Sequence, residues 1–176
     1  MTTSIALATI ADLEAHPGRC ELINGEIVET SPVGHDHGLS AGDIYSVLRA
    51  WSRSRPFRVL VGDVGFIWSA DMVRAPDIAV ITAADSERAP RRGFLPFAPV
   101  LAVEVISPTD EWSAVKMKAH GWMTHGARLV WAVDPVSQTV DVFMDGRHVS
   151  ELGMTDRLEG GTALPEFSCL VSELFS

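Results

Sequence analysis

The sequence predicts an α/β fold in which helices flank a mixed β-sheet, and three observations support this prediction. First, the 176 residues are 47% hydrophobic and contain no linker-like segment, so residues 1–176 are expected to form one domain around one core. Second, short segments rich in Val, Ile and Phe alternate with two longer segments of helical periodicity. Third, the nearly continuous apolar segment "VLAVEVIS" favours a strand covered on both faces, as at the centre of an α/β sandwich.

A β-hairpin and a helix are predicted in the first third of the chain. Asn24 and Gly25 separate two short β-prone segments, and this dipeptide is the strongest local signal for a hairpin. The predicted strands are Cys20–Ile23 and Glu26–Glu29. Apolar residues then recur at helical spacing, which predicts a helix over residues 39–52 that ends before Pro56.

Further strands and a second helix are predicted downstream. The segments "FRVLVGDVGFIWSA", "RAPDIAVITAA" and "VLAVEVIS" are predicted strands because they are rich in Val, Ile and Phe. Pro108, Thr109 and Asp110 are typical of a helix start and Gly126 of a helix end, so the second helix is expected between them. The segments "RLVWAVDP" and "TVDVFMDG" predict a strand pair, which edge strands or loops and a short helix near residues 171–175 would follow.

The charge balance limits the partners of this protein. A formal net charge of -9 argues against a protein that coats nucleic acid nonspecifically, because such binding depends on Lys and Arg neutralising phosphates. Two arginine-rich segments, "RAWSRSRPFR" and "ERAPRR", are candidates for phosphate contacts, although a solvated surface is the commoner role of such segments.

Cysteine content and hydropathy indicate the compartment. Cys20 and Cys169 form no CxxC motif, so neither a structural zinc site nor a disulfide framework is expected, and a reducing cytoplasm fits. No apolar segment approaches the roughly 20 residues that cross a bilayer, and the first residues lack the basic flank of a secretion signal. We therefore expect a cytoplasmic protein without membrane contact.

The residue that points most directly to chemistry is Glu104, an acid within the apolar segment "VLAVEVIS". A buried carboxylate loses hydration worth several kcal/mol, so it needs a cation, hydrogen-bond donors or a proton. Asp77, in "RAPDIAV", is a second acid on another predicted strand. Adjacent carboxylates repel unless a divalent cation bridges them, and Mg²⁺ prefers such oxygen ligands together with water. A metal site between Asp77 and Glu104 is one interpretation; a capping Asp77 and a structural ion pair of Glu104 with an arginine are the alternative.

Lysine usage suggests a third component. The chain has twelve arginines but two lysines, Lys116 and Lys118, and both lie on the helix predicted after the Glu104 strand. A lysine in a chain that otherwise uses arginine hints at a role that needs a compact ammonium group near an active site. Helical phase does not choose between the two, since at roughly 100° per residue they fall on opposite flanks of the apolar stripe.

Several motifs together resemble a known family. The sequence between about Glu21 and Phe175 is similar to the Uma-type restriction endonuclease family, a branch of the PD-(D/E)XK nuclease superfamily. The resemblance implies a restriction-endonuclease-like fold: a mixed β-sheet flanked by helices, with an N-terminal hairpin. The motifs that carry it, at compatible spacings, are "ELINGEIVE", "HDHG", "RAPDIAV", "LAVEVISPTD", "KAHGWMTHGARLVWAVDP" and "LPEFSCLVSELF".

The resemblance assigns roles to the candidate residues. In the superfamily pattern an Asp follows Pro on one strand and an acid lies two residues before a Lys on the next, which Asp77 and Glu104 match. Ile106 occupies the usual lysine position, and the family is known to supply the lysine from the neighbouring helix in a Lys-xxx-aromatic-xxx-Gly arrangement. Lys118, Trp122 and Gly126 fit that arrangement, so the resemblance assigns the role to Lys118. The family usually has Tyr where Trp122 stands, and Trp lacks the hydroxyl group.

The resemblance also implies cofactors, partners and secondary site residues. Asp77, Glu104 and the backbone carbonyl near Val105 would hold Mg²⁺, for which Mn²⁺ can substitute, and the substrate would be DNA. His37 matches the family's His at the start of the first helix, where it would act as a donor or phosphate contact; a loop histidine beside a helix terminus is the alternative. Glu26, in the hairpin, is a further candidate for the cleft. Restriction-type nucleases often act as dimers, so a homodimer is expected by analogy.

Two other functions are compatible with the sequence. One is a catalytically silent nuclease fold that binds nucleic acid or protein, which the acidic charge and the displaced lysine favour. The other is a metal-dependent hydrolase of small phosphoesters, which an acidic surface would tolerate better than a long duplex. A zinc hydrolase needs more ligands than "HDH" and the remaining histidines supply. For the nuclease, the sequence predicts that Lys118→Ala abolishes cleavage and leaves folding intact.

Overall fold

The computed structural model describes residues 7–175, and within this range the chain forms a six-stranded sheet, a four-stranded sheet and a two-stranded ribbon, with helices packed against them. No helix in this range combines the length and the apolar character that a membrane-spanning helix requires. The helices are α1 (Ile10–Ala15), α2 (His35–Ser52), α3 (Ala83–Arg88), α4 (Trp112–Thr124) and a 3-10 helix, Val171–Leu174. The strands are β1 (Cys20–Ile23), β2 (Glu26–Glu29), β3 (Phe57–Val61), β4 (Phe66–Ser69), β5 (Met72–Arg74), β6 (Ile78–Thr82), β7 (Leu101–Val105), β8 (Leu129–Asp134), β9 (Thr139–Met144), β10 (Arg147–Leu152), β11 (Arg157–Glu159) and β12 (Ser168–Leu170).

The large sheet is mixed, as the sequence predicts. Its strand order is β10-β9-β8-β7-β6-β3. Strands β7 and β8 are parallel, and the other neighbours are antiparallel. Parallel neighbours cannot be joined by a tight turn, and here the connection between them contains α4. This crossover places α4 beside the strand that carries Glu104.

The two faces of the large sheet bury different helices. On β7, Val103 and its neighbours on the same face pack in one core with α2, while Ala102 packs in a second core with α4. Because side chains along a strand alternate between faces, Glu104 belongs to the row of Ala102. The carboxylate of Glu104 therefore points to the α4 side of the sheet, which explains why residues of α4 become its partners.

The smaller sheet, of order β2-β1-β5-β4, holds the predicted hairpin. Strands β1 and β2 have the predicted bounds, and the turn residues Asn24 and Gly25 have φ of 51° and 77°, the left-handed conformation that this dipeptide favours. On its other side β1 pairs with β5, where Leu22 lies opposite Val73. The chain continues from β5 into β6, so the hairpin lies next to the segment that contains Asp77.

Three parts of the prediction were wrong or incomplete. Helix α2 begins at His35, one turn before the predicted residue 39; its first turn lacks the apolar periodicity on which the prediction rested, and Gly34 provides no side-chain cap. The segment "RAPDIAVITAA" is not a strand to its end, because Thr82 accepts a hydrogen bond from the Asp85 amide and starts α3. The six-residue α1, which Thr9 caps, and the three-residue β5 were not predicted, since such short elements show little periodicity.

The thiol of Cys169, on β12, provides a test of core burial. Burial raises its pKa from 9.0 to about 11, so the thiol ionises in the unfolded chain at lower pH than in the folded chain. Its contribution to stability is fully present below about pH 9 and is lost as the pH rises through about 11. Between these limits we expect the unfolding free energy of the wild type to fall by about 1–2 kcal/mol relative to Cys169→Ala, measured by urea denaturation at each pH. Parallel pH profiles for the two proteins would contradict this expectation.

Candidate active site

The cleft between the hairpin and α4 brings the sequence-predicted site residues together. A cavity of about 310 Å³ is lined by His37, Asp77, Glu104, Val105 and Lys118, along with neighbouring residues. They come from α2, the segment before β6, the end of β7 and the middle of α4. Asp77 directly precedes β6 rather than lying on it. The fold therefore assembles in one place side chains that are distant in sequence.

Glu104 is buried, with 8% of its surface exposed, and both of its oxygens have donors. The Lys118 ammonium lies 2.7 Å from Oε2, and the Trp122 indole N–H donates to Oε1 at 2.6 Å. Burial raises the pKa of Glu104 to about 7; the charge of Lys118 opposes this shift and that of Asp77 adds to it. The buried ion pair is thus made with a lysine rather than with an arginine, and these two contacts account for the acid in the apolar strand.

Lys118 is the lysine of the cleft. Its Nζ atom also lies 3.9 Å from Oε1 of Glu21 and donates to the Ala75 carbonyl at 3.4 Å. Burial alone would lower the pKa of Lys118, but the charges of Glu104 and Glu21 raise it above its usual value, so the amine is held as a cation. Lys116 instead is exposed, with its Nζ 5.8 Å from the centre of the Trp112 ring. The structure therefore places Lys118 in the cleft and Lys116 outside it, a choice that helical periodicity alone could not make.

Asp77 is held by two contacts. Its Oδ2 accepts a hydrogen bond from the Val105 amide at 2.7 Å, and its Oδ1 lies 3.2 Å from Nε2 of His37. His37 is buried in the first turn of α2, and its Nδ1 has no hydrogen-bond partner among residues 7–175. Burial would lower the pKa of His37, but the hydrogen bond and charge of Asp77 raise it above its usual value. His37 is thus connected to the cleft by its contact with Asp77.

The hairpin contributes a different acid from the one predicted. Glu26 is exposed and does not line the cleft, whereas Glu21 is buried. Oε2 of Glu21 lies 3.0 Å from Nε of Arg74, and its Oε1 accepts a hydrogen bond from the Ala75 amide at 2.8 Å. Glu21, like Glu104, is an acid among apolar strand residues. This signal was weaker for Glu21, because its strand is only four residues long.

Trp122 combines packing with its hydrogen bond to Glu104. The indole is fully buried and makes edge-to-face contacts with Phe66 and Trp68, at ring-centre distances of 5.7 and 4.9 Å. Although Trp lacks the hydroxyl of the usual Tyr, its N–H reaches the carboxylate. Packing of this kind fixes the ring, so the donor is held in place against Glu104.

The cleft offers oxygen donors of the kind that a hydrated divalent cation binds. The carboxylates of Asp77 and Glu104 and the backbone of Val105 offer hard oxygen donors, and the charge of Asp77 disfavours ionisation of Glu104, a repulsion that a divalent cation relieves. Within residues 7–175 no group of three or more His, Cys, Asp or Glu side chains is arranged to hold a metal ion. A complete protein cage is thus absent there, and Mg²⁺ typically does not need one because it retains several waters.

Comparison with known proteins identifies the family. The family model Uma2, described as "Putative restriction endonuclease", matches residues 7–172. Among solved structures, the crystal structure of a putative nuclease belonging to DUF820 from Anabaena variabilis is similar, with a TM-score of 0.80 and 20% identity over 95% of this chain and 97% of that chain. At this identity the likeness concerns the fold, and it confirms the predicted nuclease-like architecture. No match was found among curated proteins. Since the family model covers far more than half of the sequence, the chain belongs to the Uma2 family.

Proposed function

We propose that this protein is a metal-dependent endonuclease that hydrolyses phosphodiester bonds in DNA and uses Mg²⁺, with Mn²⁺ as a substitute. The observation that supports the proposal best is the convergence of Asp77, Glu104 and Lys118 in one cleft. Family membership supports nuclease chemistry, and the acids supply the ligand type that Mg²⁺ prefers.

In this proposal each residue of the cleft has a separate role. Asp77, Glu104 and the carbonyl of Val105 would hold the metal, which supplies a Lewis acid and lowers the pKa of bound water. Lys118 is a cation in the same cavity, so it can donate to a phosphate oxygen and offset the charge that develops in the transition state. His37 orients Asp77 through Nε2, while its Nδ1 is buried and has no hydrogen-bond partner among residues 7–175.

Trp122 is expected to tune this site, because it supplies one of the two donors to Glu104. Trp122→Phe keeps an aromatic ring but removes the N–H, which should raise the Mg²⁺ concentration for half-maximal cleavage by about 10- to 100-fold, the usual cost of losing an outer contact to a metal ligand. Trp122→Tyr, which restores a polar group, should recover part of the loss. A Phe variant with unchanged Mg²⁺ dependence and unchanged thermal stability would show that the contact has no such role.

Cleavage assays test the proposed function directly. We expect the purified protein to cut DNA in the presence of Mg²⁺ or Mn²⁺ and to be inactive in EDTA. Parallel assays with RNA and with a small chromogenic phosphodiester separate an endonuclease from a general phosphoesterase. Hydrolysis of the small ester alone would favour a hydrolase of small phosphoesters over an endonuclease. Cleavage that needs no metal would refute the role of the acids.

One observation favours a second candidate, a nuclease fold that only binds a partner. Lys118 and Trp122 each donate to one oxygen of Glu104, so protein groups alone compensate this carboxylate. A binding module of this kind would show no heat of Mg²⁺ or Mn²⁺ binding in isothermal titration.

The assembly proposed is a homodimer of single-domain chains, by analogy with restriction-type nucleases. Sedimentation equilibrium would measure the molecular mass of the assembly and so test this expectation.

A further inference from the structure

A second, larger cavity opens beside the cleft. It has a volume of about 570 Å³ and shares Asp77 and Lys118 with the cleft, so the two spaces meet at the proposed reaction centre. Ligand pockets for small molecules span roughly 300–1,000 Å³, so this space is suited to a group of about the size of a nucleotide. The proposed chemistry at Asp77 and Lys118 does not use it.

The lining of the larger cavity combines apolar and polar surfaces. Leu13, Val33 and Phe94 supply the apolar part, and Thr30 and Ser31 supply hydroxyl groups. The Phe94 ring packs against the small core that contains Leu22 and Val73. It also fills the space where a Cβ at residue 65 would lie, so Gly65 gives the ring room. A half-buried aromatic ring fixed in this way is a stacking surface for a base.

The acidic side chains of this cavity do not repel an anion as strongly as their number suggests, because cations accompany them. Asp63 forms an ion pair with Arg19, and Glu21 forms one with Arg74 and lies near Lys118. Arg19 lines the cavity and remains about half exposed. Of the three lining acids, Glu21 and Asp63 are thus paired with cations, and Asp77 lies beside His37.

Two further arginines shortly precede Phe94 in the sequence. Arg91 and Arg92 are exposed, and the structure gives neither a hydrogen-bond or ion-pair partner within residues 7–175. Arg92 lies two residues from Phe94, so their Cα atoms are separated by at most about 7 Å. By contrast, Arg88 in the same sequence segment is paired with Asp85. Arg91 and Arg92 do not line the cavity themselves, but they lie within three residues of Phe94, which does.

We propose that the larger cavity is a subsite for one unpaired nucleotide next to the scissile phosphate, and that Arg91 and Arg92 bind the phosphates of the same DNA strand as it leaves. The inference rests on the proposed nuclease function and names its substrate class, single-stranded DNA. A space for one nucleotide with a stacking ring does not accept a base pair, whereas a single strand can insert a base there and place its backbone on the arginines.

The other arginine-rich segment provides a matched control. Arg49 and Arg53 are also exposed, but they lie at the far end of α2. Arg49 is twelve residues beyond His37, about 18 Å along the helix. Arg49→Gln/Arg53→Gln therefore removes the same charge as Arg91→Gln/Arg92→Gln at a distance from the cavity.

The test measures binding without chemistry, by fluorescence anisotropy of a short labelled DNA of mixed sequence in EDTA, alone and annealed to its complement. We expect the wild type to bind the single strand at least about tenfold more tightly than the duplex. Arg91→Gln/Arg92→Gln should weaken single-strand binding about tenfold and reduce the salt slope by about 1.4, since each phosphate contact contributes about 0.7. Phe94→Leu should weaken it about tenfold through lost stacking. The Arg49/Arg53 double variant should bind like the wild type.

The outcomes distinguish this inference from the proposed function. Tighter binding of the duplex, or equal losses in the two arginine double variants, would overturn the subsite. Absence of DNA cleavage by the wild type with Mg²⁺ or Mn²⁺ would refute the nuclease function, while the anisotropy result would still decide whether the strand binds there.

Discussion

Asp77→Asn is expected to abolish metal-dependent cleavage while the protein remains folded. Asn retains an oxygen that can accept the hydrogen bond of the Val105 amide, so the local backbone should be preserved. It removes the negative charge that would hold Mg²⁺ together with Glu104. We expect metal affinity to fall by at least about a hundredfold, which exceeds the usual effect of losing an outer contact, and cleavage to fall below detection.

Isothermal titration with Mn²⁺ and a cleavage assay measure both effects, and thermal unfolding serves as the control. Glu26→Gln is the matched variant, because it removes one exposed acid of the same chain outside the cleft. It should bind metal and cut like the wild type. Metal binding that survives in Asp77→Asn would place the ion elsewhere and remove Asp77 from the mechanism.

Lys118→Met is expected to abolish cleavage as well, with a second effect on stability. Loss of the cation that offsets transition-state charge should reduce the cleavage rate by on the order of 10²–10³. The same cation compensates Glu104, so its removal leaves a buried carboxylate with Trp122 as its remaining donor. We expect a loss of unfolding free energy of about 3 kcal/mol, the low end for a broken buried pair, because the Lys118 side chain is 26% exposed. We therefore expect Lys118→Met to be folded but less stable than the wild type.

A double variant separates the two effects of this substitution. In Lys118→Met/Glu104→Gln the uncompensated charge is gone, so urea denaturation should show stability close to that of the wild type. Cleavage should remain absent, because neither the acid nor the lysine is present. If the single variant Lys118→Met unfolds no more readily than the wild type, the ion pair is not a stabilising contact. If the single variant is folded and cleaves at the wild-type rate, Lys118 has no catalytic role.

The elements with strong local signals were predicted well, and those whose form depends on tertiary contacts were not. Asn24-Gly25 set the hairpin bounds because the dipeptide determines its own turn geometry. Gly126, with φ of 101°, closes α4 for the same kind of local reason. The first turn of α2 has no comparable signal, since its burial comes from the contact between His37 and Asp77 across the fold.

The site residues, too, were predicted where the signal was local and missed where it came from tertiary contacts. The apolar residues around Glu104 marked this acid as unusual in the sequence. Periodicity did not reveal its partners, because Lys118 and Trp122 lie on α4, which packs against the face of β7 to which Glu104 points. Family resemblance chose Lys118 over Lys116, and the structure places Lys118 in the cleft. Glu21 was missed because its burial depends on Arg74 and Ala75, which approach it only through the pairing of β1 with β5.

On the proposed mechanism, the location of Lys118 on the crossover helix would make activity depend on the order in which the chain folds. A chain whose strands have paired but whose α4 has not yet docked holds its acids without the cation, and on the proposed mechanism it cannot cut. The helix lies C-terminal to the Glu104 strand, so a chain emerging from the ribosome gains both carboxylates before it gains Lys118. On the proposed mechanism, the nascent chain would therefore not cut nucleic acid until its synthesis has passed the crossover.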